Sequence, residues 1–158
     1  MGWTNGHLFN FSLDKLVIEL PKKEGAYFDA ILPEDLEKLD ASKTILSEFL
    51  NQARQTIIYM YDFGDDWEHE ITVDKILPKE NWITYPVCID GEMNCPPENS
   101  GGAYGFYQKL EILKDKQHPD YKEISEWLGK DYDAEYFDLE GANKRLLKIE
   151  GYLKEMLE

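Results

Sequence analysis

Three runs between residues 61 and 106 decide the fold: YDFGDDWEHEITVDKILP (61–78), YPVCID (85–90) and CPPENSGGAYGF (95–106). The first contains most of a two-stranded ribbon. Thr56 to Tyr61, leading into it, is β-branched and aromatic, the composition of a strand. Phe63 to Asp66 supplies turn chemistry through Gly64 and the adjacent aspartates. The return strand, Trp67 to Ile76, alternates cleanly. Trp67, His69, Ile71 and Val73 fall on one side, and Glu68, Glu70, Thr72 and Asp74 on the other.

Working outward, Leu8 to Leu13 alternates Phe9, Phe11 and Leu13 against polar residues, a half-buried strand, and Lys15 to Leu20 stays extended until Pro21. Residues 22–25 read as a charged loop, and 26–40 carry no decisive signal. Ala41 to Leu50 reads as a short helix capped by Asp40 or Ser42, with Ile45, Leu46 and Phe49 inward. Trp82 to Ile89 reads as a third strand, ended by Asp90-Gly91, and Glu92 to Gly102 as a long loop. Helices follow at Gly105 to Leu113 and from Pro119 through Leu128 to Gly129. Asp138 caps a last helix with the stripe Leu139, Ala142, Leu146, Ile149, Leu153 and Met156. Strands first and helices last, without βαβ alternation, predict an α+β fold. Its antiparallel sheet has a central hairpin at about 56–61 and 67–76 packed against C-terminal helices. Without repeats or a linker, residues 1–158 read as one domain.

The formal net charge of −15 argues against non-specific DNA or RNA binding, which needs Lys and Arg to displace phosphate counterions. Arg54 and Arg145 are the chain's arginines, too few for bidentate phosphate or guanine recognition. Cationic partners and divalent metals suit this charge; acidic partners do not. No segment approaches the roughly 18 apolar residues of a membrane span. With no basic-then-apolar leader and two cysteines, the chain is expected in the reducing cytoplasm.

Several side chains could carry chemistry. His69 lies in the apolar row of the ribbon. It is either a core-edge histidine bonded to a nearby carbonyl or carboxylate, or a metal ligand or general base oriented by Asp62 or Asp65. Cys88 and Cys95 stand further apart than the usual pair of a structural zinc site. They read as inert buried thiols, as zinc ligands with one or two of His7, His69 and His118, or as a disulfide. Zinc or another divalent metal on Cys88, Cys95 and His69 is the cofactor expectation. The loop Pro96 to Gly102 stands just before a helix, where backbone amides can hold an anion, but it lacks the Lys-Ser/Thr of a phosphate-binding loop. A rigid entry to the helix is its other reading. GxSxG, HExxH and GxGxxG are all missing. From Asp131 to Glu140 acids and aromatics interleave. A calcium loop fails there, because its sixth and twelfth places hold Tyr136 and Ala142.

Taken together, YDFGDDWEHEI, YPVCIDGE, CPPENSGGAYGF, HPDY and DYDAEYFDLEGANKRL resemble the plasmid pRiA4b ORF-3-like family over nearly the whole chain. The resemblance implies a link to mobile elements, through relatives described as insertion-element passengers and likened to resolvases. A serine resolvase needs an arginine-rich pocket around its nucleophile, which this chain does not supply. Family loops often read PPED where this chain has Pro96-Pro97-Glu98-Asn99, which would weaken a carboxylate metal site at Asn99. The family usually carries a strand and helix upstream of the segment matching MGWTNGHLFNF. The domain is therefore expected to lack its first strand and helix, with an exposed sheet edge or apolar groove near Phe9 and Phe11.

The leading functional reading is a non-enzymatic binding or accessory module with a protein or small-molecule partner. Its recognition surface is the Asp62–Asp66 turn with Trp67, His69 and His7, and the Cys95–Gly102 loop with Glu98 and Asn99. A metal-dependent hydrolase or nuclease using His69, Asp62 and Asp65 is the alternative. A nucleic-acid accessory protein of mobile elements is the third reading, opposed by the charge.

Overall fold

The hairpin forms where the turn chemistry places it. In the computed structural model, which describes residues 2–21, 35–129 and 131–151, β4 (Thr56–Tyr61) pairs antiparallel with β5 (Trp67–Thr72). The register sets Tyr61 opposite Trp67 and Tyr59 opposite His69. The expected strand to Ile76 is shorter. After Thr72 the ribbon continues only through Val73, whose N–H donates to Gln55 and whose carbonyl accepts from Arg54.

β1 (Phe9–Leu13), β2 (Leu16–Glu19) and β3 (Glu37–Asp40) complete a five-stranded sheet of order β3-β2-β1-β4-β5. All its pairings are antiparallel except β2 with β3, so the sheet is mixed. Strand alternation then sorts the faces. Phe11, Tyr59 and His69 stand in one cross-strand row, and Phe9, Tyr61 and Trp67 in the next. Ring centroids lie 4.9 Å apart for Phe11–Tyr59 and 5.4 Å for Tyr59–His69. Ile57 and Tyr61, each 1% exposed, anchor this face.

β1 is the middle strand, bonded on both sides, so no sheet edge lies at Phe9 and Phe11. Among the described residues the edges are β3 and β5. Two other expectations are corrected. Residues 41–50 form a turn followed by a short 3-10 segment, Leu46–Glu48, rather than a helix. The cause is local competition for the backbone. The Asp40 carboxylate accepts from the Ser42 amide and hydroxyl, and the Thr44 hydroxyl donates to the Asp40 carbonyl. Lys43 and Ser42 beside it hold the Asp40 carboxyl down at about 2. Ile45 and Leu46 consequently point to solvent.

Residues 82–89 join no sheet. Pro86 offers no amide to a ladder, and Trp82 and Ile89 are more than four-fifths exposed, at 82% and 86%. The Glu92–Gly102 loop leads into α1 (Gly102–Lys114), which is followed by α2 (Tyr121–Leu128) and α3 (Leu139–Leu146). Phe106 and Leu128 are the buried apolar residues of α1 and α2, and Asp138 caps α3 by accepting from Gly141. Leu153 and Met156, like residues 22–34, lie outside the described residues. The arrangement is α+β.

The chain divides into two compact units. His7–Pro78 is the sheet unit; Met1–Gly6 with Lys79–Glu158 is the helical unit.

Candidate functional site

In the sheet unit, Asp62 builds the hairpin turn. Its carboxylate accepts from the Gly64 and Asp65 amides at 3.0 and 3.4 Å, an Asx-type turn. Its own φ is +58°, a left-handed conformation that Asp tolerates better than most residues. Its second oxygen pairs with His7 Nδ1 at 3.3 Å, and the His7 ring stands edge-on to Tyr61 at 5.8 Å. Asp62 is 7% exposed. The histidine at this turn's carboxylate is thus His7. His69 Nδ1 lies 3.2 Å from the carbonyl of Tyr59, its partner across the ribbon. Trp67 and Asp65 are half-buried on the same ribbon, while Glu68 and Glu70 face solvent.

The helical unit contains a cavity of about 790 Å³. Its walls are the Asp90–Glu98 loop, Gly2 and Trp3, residues 136–138, and one face of α3. Asp138, Ala142 and Arg145 reach it because they recur at helical spacing. Both cysteines line it. They are free and half-buried rather than disulfide-bonded. The Cys95 sulfur accepts from the Gly2 amide at 3.3 Å, and the Cys88 thiol donates to the Asp90 carbonyl at 3.2 Å. Among the described residues of this unit, neither cysteine joins a group of three potential metal ligands. His118 sits at the start of α2 and accepts the Asp120 amide.

The walls are tied together by bonds the sequence did not suggest. Asn143 accepts the Cys88 amide and donates to the Cys88 carbonyl, both at 2.9 Å, as a neighbouring strand would. The Trp3 indole donates to the Pro96 carbonyl at 2.7 Å, and Glu98 accepts the Thr4 amide and hydroxyl at 2.8 and 3.0 Å. Asn99 follows with φ +61°, a left-handed conformation that asparagine tolerates. Fully buried Ser100 donates to the Pro97 carbonyl while Lys109 donates to its own carbonyl. Gly101 and Gly102, at φ +80° and +65°, turn the chain into α1. The Pro96–Gly102 segment is therefore a braced entry to a helix.

Gly91 lies beneath the Phe137 ring, where an added Cβ would stand 2.4 Å from Cζ. Gly91→Ala should push that ring into the cavity and cost about 1.5 kcal/mol by overpacking. Urea titration checks this, and adding Phe137→Leu should restore most of the loss. Tyr132 donates to the Cys95 carbonyl. Burial, with the nearby Cys95 charge, pushes its phenol up from 10.0 to about 12. The raised value means its stabilising contribution is present below about pH 10 and is lost as pH rises through about 12. Absorbance at 295 nm should show a tyrosine that ionises late, and Tyr132→Phe should remove that late step.

Sequence reasoning named Cys88, Cys95, Glu98 and Asn99 but not Trp3, Asn143 or Arg145 as site residues. Arg145 alone could have been found, because with Asp138 and Ala142 it recurs at helical spacing along one face of α3.

Comparison with known proteins gives a consistent family. Residues 1–141 match the family model described as plasmid pRiA4b ORF-3-like protein. The chain is 33% identical over 145 residues to an uncharacterized protein, y4hQ, of Sinorhizobium fredii, covering 91% of this chain and 70% of that one. The crystal structure of MM3350, a protein of unknown function from Methanosarcina mazei, is similar with a TM-score of 0.73. That match is at 32% identity and covers 89% of this chain and 75% of that one. No helix among the described residues is long and apolar enough to cross a membrane. The chain belongs to the plasmid pRiA4b ORF-3-like family.

Proposed function

We propose that the protein is a ligand-binding module whose binding site is the cavity of the helical unit. The observation that carries this reading is the cavity itself. At about 790 Å³ it falls within the range of roughly 300–1,000 Å³ typical of small-molecule sites. Its lining combines Trp3, Met93 and Phe137 with a few polar groups, the usual mixture of such sites. In this reading Cys95 to Glu98, part of the Cys95–Gly102 loop, serve as one recognition wall. The Asp62–Asp66 turn and His69 belong to the sheet unit, where their bonds build the ribbon. The reading therefore rests on the cavity alone.

A metal-dependent hydrolase would need several ligands converging on one point. Of the residues that reading uses, His69 Nδ1 lies against the Tyr59 carbonyl, and Asp62 accepts the Gly64 and Asp65 amides.

The test is a small-molecule screen read by the alkylation rate of Cys88 and Cys95, both in the wall. Ligands should slow alkylation of the native protein and have much less effect on Ala142→Trp, whose indole projects into the cavity. Equal protection in Ala142→Trp, with an unchanged melting profile, would place binding elsewhere.

A further inference from the structure

Five charged side chains line the cavity, and they differ in how they are engaged. Asp90 accepts the Gly91 amide, Glu98 accepts the Thr4 amide and hydroxyl, and Asp138 accepts the Gly141 amide. Glu92 and Arg145 have no side-chain hydrogen bond or ion pair among the described residues, although both line the same cavity. Both side chains are solvent-exposed where they line the cavity, so the Arg145 guanidinium and the Glu92 carboxylate are open to a ligand. Arg145 lies on the face of α3 that lines the cavity, while Asn143 fastens that helix to Cys88. Its neighbour Lys144 is already paired with Glu140 at 2.6 Å.

A guanidinium takes a carboxylate through two parallel hydrogen bonds. A carboxylate such as Glu92 takes an ammonium group. A dianionic ligand would meet Glu92 and the three engaged acids; a dicationic one would be repelled by Arg145. A molecule bearing both charges satisfies both groups. The Trp3 and Phe137 rings in the same lining suit an apolar side chain, and the volume exceeds the need of a single amino acid.

Resting on the binding reading above, we propose that the ligand is a short peptide with free termini: its carboxylate on Arg145, its ammonium on Glu92 and an apolar side chain against Trp3 and Phe137.

The experiment uses the full chain and three forms of one probe, the tripeptide Ala-Phe-Ala, measured by calorimetry at low salt. The forms are free, C-terminally amidated and N-acetylated. Amidation should weaken binding to the native protein about tenfold but leave binding to Arg145→Ala unchanged. Acetylation should do the same for the native protein and leave Glu92→Gln unchanged. Ala142→Trp should bind none of the forms. A second block, alkylation of Cys95, guards against misfolding of that variant.

Outcomes separate the two claims. Equal affinity for all three forms, or losses that persist in the matched variants, overturns the ligand class while a block by Ala142→Trp keeps the cavity. Binding that survives both blocks overturns the cavity itself. No binding of the free tripeptide at millimolar concentration also overturns the ligand class.

Discussion

Replacing Asn143 by alanine is expected to destabilise the helical unit by about 3 kcal/mol. Three hydrogen bonds leave with it: two to the Cys88 backbone at 2.9 Å and one to the Leu139 carbonyl at 3.0 Å. The Cys88 amide and carbonyl have no sheet neighbour to replace them, because residues 82–89 form no ladder. Asn143→Asp should cost nearly as much. It keeps an acceptor for the amide but sets an oxygen against two carbonyls. Equilibrium urea unfolding of both variants checks this, together with the alkylation rate of Cys88, which should rise as the wall loosens. A loss under about 1 kcal/mol for alanine would mean that water replaces the amide at little cost.

Asp62→Ala comes next, at about 2.5 kcal/mol. Three effects combine. The Gly64 and Asp65 amides lose their acceptor, His7 loses its partner, and alanine must hold the left-handed φ of +58°. Asp62→Asn separates them, since asparagine keeps the amide acceptor and accepts the left-handed backbone. It should cost only about 1 kcal/mol, the worth of the carboxylate's contact with His7. If the two variants unfold at the same denaturant concentration, the turn bonds contribute nothing and the His7 contact accounts for the whole effect.

How much of this was legible depends on how local each signal was. The hairpin could be read because alternation and turn chemistry lie within 17 residues, from Thr56 to Thr72. The helices could be read from their caps and apolar stripes. Residues 41–50 misled because helical composition competes with Asp40, Ser42 and Thr44 for the same backbone groups. Residues 82–89 have strand composition, but their backbone partner at Cys88 is a side chain 55 residues away. No local pattern announces that. The cavity is likewise non-local, since Trp3 reaches Pro96 across 93 residues. His69 was readable as a position, and its bond to the Tyr59 carbonyl follows from register. That Asp62 would instead hold His7 required knowing that β1 lies beside β4.

The first residues of the chain belong with its last eighty, and this limits how the protein can be dissected. Gly2, Trp3 and Thr4 are bonded to Cys95, Pro96 and Glu98, so excising residues 79–158 as a recombinant fragment would discard a wall of the cavity. A single scission after Pro78 cannot liberate an intact module. A circularly permuted gene, joining Glu158 to Met1 and opening the chain near Gly6, is the cloning strategy that would keep those strands of sequence together.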